Sequence, residues 1–247
     1  MRSNRYNRPF LTAAWRYLVM LNYDIDPALL TSLVPAGTEL DRWEDRAMVS
    51  VVGFRFLDTR VLGVPIPFHR SFDEVNLRFY VRRPSADGWQ RGVVFIGEVV
   101  PRYMIALIAR IGYNEPYIAL PMRHVVEMAP AVSGGAGTAR YQWRQDRWYT
   151  VEAKTSGPPQ ELEPGSEAEF ITEHYWGYTR RRDGGTNEYR VDHPRWRVWT
   201  AESARLDCDV ERMYGRQFVA ALTATPVSAF VADGSAVAVY AGKRLPA

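Results

Sequence analysis

The stretch Phe72-Asp73-Glu74-Val75-Asn76-Leu77-Arg78-Phe79-Tyr80-Val81 sets a carboxylate, an amide, a guanidinium and a phenol at alternate positions. Successive side chains of a strand point to opposite faces, so Glu74, Asn76, Arg78 and Tyr80 would share one face and Val75, Leu77, Phe79 and Val81 the other. Such a polar row can hold a small anion and move a proton. The guanidinium pairs with a carboxylate through two parallel hydrogen bonds, and a carboxyl or phenol serves as general acid or base. A strand whose polar face meets water has the same alternation, so the pattern by itself leaves both readings open.

A second unusual run is Glu173-His174-Tyr175-Trp176-Gly177-Tyr178. On a strand His174, Trp176 and Tyr178 would share a face, and one imidazole between aromatic walls suits a small-molecule pocket or an aromatic packing face. His193 lies beyond the Asp183-Gly184-Gly185 turn, near the position opposite His174. No metal-ligand spacing such as His-Glu-x-x-His joins these histidines to Glu173, and neither a metal nor another cofactor is expected. A Walker loop, a dinucleotide-binding glycine pattern and a Gly-x-Ser-x-Gly elbow are all missing from the sequence. Their absence argues against nucleotide hydrolysis, Rossmann hydride transfer and α/β-hydrolase chemistry.

The elements that must position these residues are mostly strands. Residues 72–81 and 92–100 pair as a hairpin through Arg82-Arg83-Pro84-Ser85-Ala86-Asp87-Gly88, with Val94, Ile96 and Glu98 expected on one face. Further hairpins are expected for residues 40–43 with 47–56, 139–144 with 147–153, 169–181 with 187–193, and 226–231 with 236–240 around Asp233-Gly234. Asp26-Pro27 opens a short helix carrying Leu29, Leu30 and Leu33. Pro101 opens another over residues 102–111, and residues 206–214 read as a third before Gly215. The pattern predicts a mainly β fold with a minor α component, an antiparallel barrel or sandwich with two or three short helices.

The 247 residues, 47% hydrophobic and 24% charged, suit an ordinary globular protein, expected as one domain over residues 1–247. No apolar run reaches the length of a signal peptide or a membrane span, and a cytoplasmic location is expected. Cys208 is the only cysteine, which excludes an internal disulfide and a thiolate metal cluster. All but Lys154 and Lys243 of the 31 basic residues are arginine, yet the net charge is only +3. Arg180-Arg181-Arg182 abuts a turn, where solvated charge is normal, so nucleic-acid binding is not expected.

The run from Asn22-Tyr23 through Pro35-Ala36-Gly37-Thr38-Glu39-Leu40-Asp41, with Val52-Gly53-Phe54-Arg55-Phe56, Glu74-Val75-Asn76-Leu77-Arg78, Arg91-Gly92-Val93-Val94-Phe95, Tyr113-Asn114-Glu115-Pro116-Tyr117 and His193-Pro194-Arg195-Trp196, resembles the YqjF-like family, DUF2071. The resemblance runs over nearly the whole chain. It implies the acetoacetate decarboxylase-like fold, a distorted antiparallel barrel or cone around a central cavity. Acetoacetate decarboxylase works through a Schiff-base lysine. Here Arg110, Gly112 and Pro116 follow a similar order, but Tyr117 stands where that lysine would be. No lysine occurs between Met1 and Ala153. Glu74 resembles the pocket glutamate of the superfamily.

The resemblance thus turns the polar row inward. Taken together, the residues and the resemblance make Glu74, Arg78 and Tyr117 catalytic candidates and Asn76, Glu98, Arg110, Tyr113 and Glu115 ligand-binding candidates, with His174 and Trp176 added from the aromatic run. The expected partner is a small carboxylate-bearing ligand, with a homo-oligomer possible. The two functional readings are lyase, hydratase or isomerase chemistry without a Schiff base on an oxo or hydroxy acid, and a non-catalytic binding or sensing module shaped by a Glu74–Arg78 pair.

Overall fold

The computed structural model describes residues 8–66, 70–101, 117–128 and 135–245. The alternating sequences become strands Pro9–Ile25 (β1), Glu39–Leu40 (β2), Ala47–Val61 (β3), Val64–Pro65 (β4), Phe72–Ser85 (β5), Gly88–Val100 (β6), Tyr117–Ala119 (β7) and Met122–Glu127 (β8). They continue as Gly137–Arg144 (β9), Trp148–Thr155 (β10), Trp176–Arg180 (β11), Thr186–Asp192 (β12), Val198–Asp207 (β13), Ser228–Tyr240 (β14) and Lys243–Leu245 (β15). Among the described residues, seven strands close into a ring in the order β1, β3, β5, β6, β11, β12, β14. Closure comes from Val191 and Asp192 of β12 pairing with Val239 and Ala238 of β14. A closed ring leaves its members no free edge. The expected antiparallel barrel is therefore present, with two short parallel pairings, of β6 with β11 and with β7.

A second antiparallel layer, β8, β9, β10 and β13, is joined to the ring through β14 and lies against β1 and β3. Gly53 permits the close approach. A Cβ there would stand 2.8 Å from both Tyr141 Cδ2 and Val151 Cγ1.

The two faces of β5 feed two cores. Val75, Leu77, Phe79 and Val81 pack outward with Val49, Val51, Tyr141, Trp143, Tyr149 and Val151. Tyr80 packs inward with Leu18, Met20, Val52, Phe54, Val93 and Tyr117. Its row-mates Glu74 and Asn76 are only 3% and 2% exposed. The polar row faces the interior of the ring rather than water.

Five local expectations are corrected. The hairpin expected around Asp233-Gly234 is one continuous strand, β14, in which Gly234 has φ +80° and a Cβ would collide with the Trp15 carbonyl oxygen. The pair stays within the strand instead of reversing it, and the register with β1 runs on across it from Arg16–Gly234 to Leu18–Ala232. Residues 169–172 belong to a helix, Glu167–Thr172, not to a strand. Ser166 Oγ accepts from Glu169 N at 3.2 Å, and Glu169 Oε2 accepts from Gly165 N at 2.6 Å. The segment after Asp26 forms two 3-10 turns, Pro27–Leu29 and Thr31–Leu33, with Asp26 capping Ala28 N at 2.9 Å. β2 pairs with β5 and not with β3, although the turn between Trp43 and Arg46 forms. Leu206 ends β13, and Asp209 then caps a separate helix, Val210–Tyr214. The helix expected over residues 102–111 lies outside the described residues.

Candidate ligand cavity

A cavity of about 120 Å³ lies inside the ring. Glu74, Asn76, Arg78, Glu98, Tyr117 and His174 line it, among the aromatic side chains of Trp15, Phe54, Phe56, Phe72, Phe95, Tyr189 and Trp196. Glu98 reaches this wall because of a bulge. The β5–β6 register passes from Leu77 opposite Gly97 directly to Arg78 opposite Phe95, leaving Ile96 unpaired. Strict alternation would put Glu98 beside Val94 and Ile96. The extra residue turns it instead to the side of Val93 and Phe95, opposite Asn76 in β5 and Tyr117 in β7.

Glu74 Oε1 accepts from Asn76 Nδ2 at 2.9 Å, and Glu74 Oε2 accepts from the Tyr117 hydroxyl at 3.4 Å. Burial raises its carboxyl from 4.5 to about 7. The hydrogen bonds from Asn76 and Tyr117 and the nearby Arg78 charge oppose that rise without cancelling it. At neutral pH the group is divided between acid and base forms, the condition in which a carboxyl serves proton transfer best.

Arg78 is held by a polar chain that all runs one way. Its Nε donates to the Tyr80 hydroxyl at 3.4 Å, and Tyr80 and Ser50 lie 2.6 Å apart. Ser50 donates to Asn22 Oδ1 at 2.6 Å, which leaves Tyr80 as donor to Ser50. Asn22 Nδ2 then donates to Ser228 Oγ at 2.9 Å, and Ser228 donates to Glu167. A second prong, Arg78 Nη2, donates to the Ile171 carbonyl at 3.2 Å. No described carboxylate forms an ion pair with this guanidinium, Glu74 included. Four residues along a strand separate the two Cα atoms by roughly 13 Å. The Glu74–Arg78 pair of the binding-module reading is therefore not a direct ion pair, although the Arg78 charge still reaches the Glu74 carboxyl.

His174 sits in the connection between helix Glu167–Thr172 and β11, not on the strand. Its ring lies 4.7 Å from that of Tyr80 and 5.2 Å from that of Phe170. Nε2 is 3.2 Å from Asp41 Oδ2, and Arg91 Nε donates to the same oxygen at 2.6 Å. Burial opposes ionisation of Asp41, but the hydrogen bonds and charges of His174 and Arg91 outweigh it and hold the carboxyl below its ordinary value. Burial lowers the His174 imidazole to about 4, so it is neutral at pH 7. Asp41, Arg91, Asn22 and Ser50 are not marked by the sequence as site residues, because each meets its partner across a wide separation in the chain. The family motifs at Asn22-Tyr23, Pro35–Asp41 and Arg91–Phe95 point to the neighbourhoods of three of them without giving them a role.

The other candidates are placed less uniformly. Trp176 borders the cavity wall, but its ring packs with the outer core and Lys243 Nζ lies 5.9 Å from its centre. Tyr178 is in the outer core, so the expected common face of His174, Trp176 and Tyr178 does not exist. His193 does line the cavity, stacked on Trp196 with ring centres 4.1 Å apart. Arg110, Tyr113 and Glu115 lie outside the described residues. Gly177, between the two outward-facing aromatics, is crossed by Tyr189, whose phenol a Cβ would strike. Gly177→Ala should therefore cost about 1–3 kcal/mol by overpacking, read by urea unfolding. An unchanged midpoint would show that Tyr189 moves freely. Both lysines are exposed and neither lines the cavity; Lys243 pairs with Glu188 at 2.8 Å. Among the described residues, no group of three His, Cys, Asp or Glu side chains is placed to hold a metal, and no helix is long and apolar enough to cross a membrane.

A closed ring of strands around a largely aromatic cavity with a few buried polar groups is shared with solved structures of the acetoacetate decarboxylase-like fold. Acetoacetate decarboxylase from Legionella pneumophila subsp. pneumophila str. Philadelphia 1 aligns with a TM-score of 0.63 at 15% identity, over 98% of this chain and 90% of that one. The enduracididine biosynthesis enzyme MppR complexed with pyruvate aligns with a TM-score of 0.65 at 12% identity, over 99% and 93%. Within that fold the chain belongs to the family DUF2071, an uncharacterized conserved protein, whose profile matches residues 12–236. The uncharacterized protein YqjF of Bacillus subtilis (strain 168) is 27% identical over 192 residues, 76% of this chain and 75% of that protein.

Proposed function

We propose that the protein binds a small oxo or hydroxy carboxylic acid inside the ring and acts on it by acid–base chemistry, as a lyase, hydratase or isomerase without a Schiff base. The observation that carries this reading is a guanidinium with no ionic partner among the described residues, bordering the same small cavity as a carboxyl of near-neutral pKa. Arg78, half-buried at the cavity wall, would take the ligand carboxylate through charge-assisted hydrogen bonds. Glu74, with Tyr117 beside it, would exchange a proton with the carbon or oxygen next to that carboxylate. Pyruvate bound to MppR, a protein of the same fold, supports a small carboxylic acid as ligand class. Lysine-dependent decarboxylation is disfavoured, because no lysine lines the cavity among the described residues. A binding module without turnover would use the same contacts.

The test is thermal stability across a panel of small oxo, hydroxy and unsaturated carboxylic acids, for wild type and Arg78→Ala. A ligand present at a hundred times its Kd stabilises by about 2.7 kcal/mol. One class of acid should raise Tm of the wild type and leave a folded Arg78→Ala unmoved. A shift that survives in Arg78→Ala, or none with any acid, would overturn the carboxylate reading.

A further inference from the structure

We infer that His174 is a specificity-determining hydrogen-bond acceptor for a hydroxyl group next to the ligand carboxylate, and that the cavity therefore prefers 2-hydroxy acids to 2-oxo acids. This deepens the proposed function and rests on Arg78 holding the carboxylate.

The inference begins with proton bookkeeping at the buried dyad. An ionised carboxylate has lone pairs only, and Asp41 already accepts from Arg91 at Oδ2. The His174 nitrogen 3.2 Å from that oxygen, Nε2, must then carry the imidazole proton. A neutral ring with its proton on Nε2 has a bare lone pair on Nδ1. That Nδ1 is buried and has no hydrogen-bond partner among the described residues, and His174 is a cavity-lining residue. Leaving a buried acceptor unfilled is costly, so a ligand that brings a donor to it gains twice, by its own bond and by relieving the orphan. The low pKa of the ring is consistent with an acceptor that stays neutral.

Position ties this acceptor to the carboxylate site. Arg78 Nε donates to the Tyr80 hydroxyl, and the Tyr80 ring packs on His174 at 4.7 Å. The guanidinium and the imidazole thus flank one phenol. A second unfilled acceptor, Asn76 Oδ1, stands two residues from Arg78 on the same face of β5. A hydroxyl on the carbon bearing the carboxylate can donate to such a lone pair. An oxo oxygen at that place opposes one lone pair with another and leaves His174 unfilled.

The experiment compares lactate with pyruvate by titration calorimetry, on the wild type and on His174→Phe, which keeps an aromatic ring without the nitrogen. The wild type should bind lactate about tenfold more tightly, the weight of one hydrogen bond to a buried orphan. His174→Phe should reduce that ratio to near one while still binding both acids through Arg78. Equal binding of both acids to the wild type would overturn the inference and leave the carboxylate reading standing. Binding of neither would remove the carboxylate reading and the inference with it. A preference that persists in His174→Phe would overturn the role of His174 and assign the acceptor to another group, Asn76 first. Should His174→Phe not fold, the imidazole ¹⁵N spectrum of the wild type decides. Lactate should shift an unprotonated Nδ1 upfield as it accepts a hydrogen bond, and a protonated Nδ1 in the free protein would contradict the assignment.

Discussion

Glu74→Gln is expected to unfold less readily than the wild type above pH 7 and to lose turnover. Burial raises the Glu74 carboxyl from 4.5 to about 7, so the folded chain binds more protons than the unfolded chain between those values. Stability then falls as pH rises through that window and stays low above it. At about 1.4 kcal/mol for each pH unit the window spans, the penalty on the wild type at pH 8 is on the order of 3 kcal/mol. Glutamine keeps the shape of the neutral carboxyl and carries no charge to desolvate. The variant should match the wild type near pH 4.5 and exceed it at pH 8, read by urea unfolding at the two pH values. Once a turned-over acid is known, kcat of the same variant should drop by about 10²–10⁴, the usual weight of a general acid or base. A variant less stable than the wild type at pH 8 would mean that Glu74 is held as a structural anion. Unchanged turnover would remove it from the chemistry. A site that destabilises the fold where the carboxyl ionises is what function, and not packing, would retain.

Trp143→Ala should produce the largest loss of stability outside the cavity. Trp143 is fully buried between the ring and the second layer, edge-on to Tyr149 at 5.8 Å. Truncating a buried tryptophan costs about 3–5 kcal/mol, because the cavity left behind closes only partly. The side chain belongs to the outer core and does not line the ligand cavity. The ligand-induced rise in Tm should therefore persist in the variant from its lower baseline. Loss of that rise in a folded Trp143→Ala would show that the two cores are coupled, and that the second layer shapes the site.

Much of the site was legible because it is written on one strand. The alternation from Phe72 to Val81 gave the row, and the family resemblance supplied what alternation lacks, the side on which the ring closes. The β5–β6 and β11–β12 hairpins follow from their turns, and the barrel from the run of hairpins. What failed were local rules overridden by neighbours. Period-two counting placed Glu98 among apolar residues, because nothing in residues 93–98 announces that Ile96 is a bulge; only pairing with β5 makes it one. Asp233-Gly234 carries a turn signature, but Gly234 serves inside β14, where the Trp15 carbonyl leaves no room for a side chain. Ser166 and Glu169 stand at capping-box spacing ahead of His174, a helix-start signal that the strand expected over residues 169–181 ignores. The contacts that orient Arg78 and His174 are tertiary. Asn22 with Ser50, and Asp41 with both Arg91 and His174, come from segments brought together only when the ring closes.

The most direct test of the carboxylate site is a crystal structure of the protein with whichever acid of the panel raises Tm most. The acid should lie inside the ring with its carboxylate hydrogen-bonded to Arg78 and its substituted carbon toward Glu74 and His174. An empty cavity with the acid on surface arginines such as Arg42 or Arg82, or an acid whose carboxylate turns away from Arg78, would contradict it.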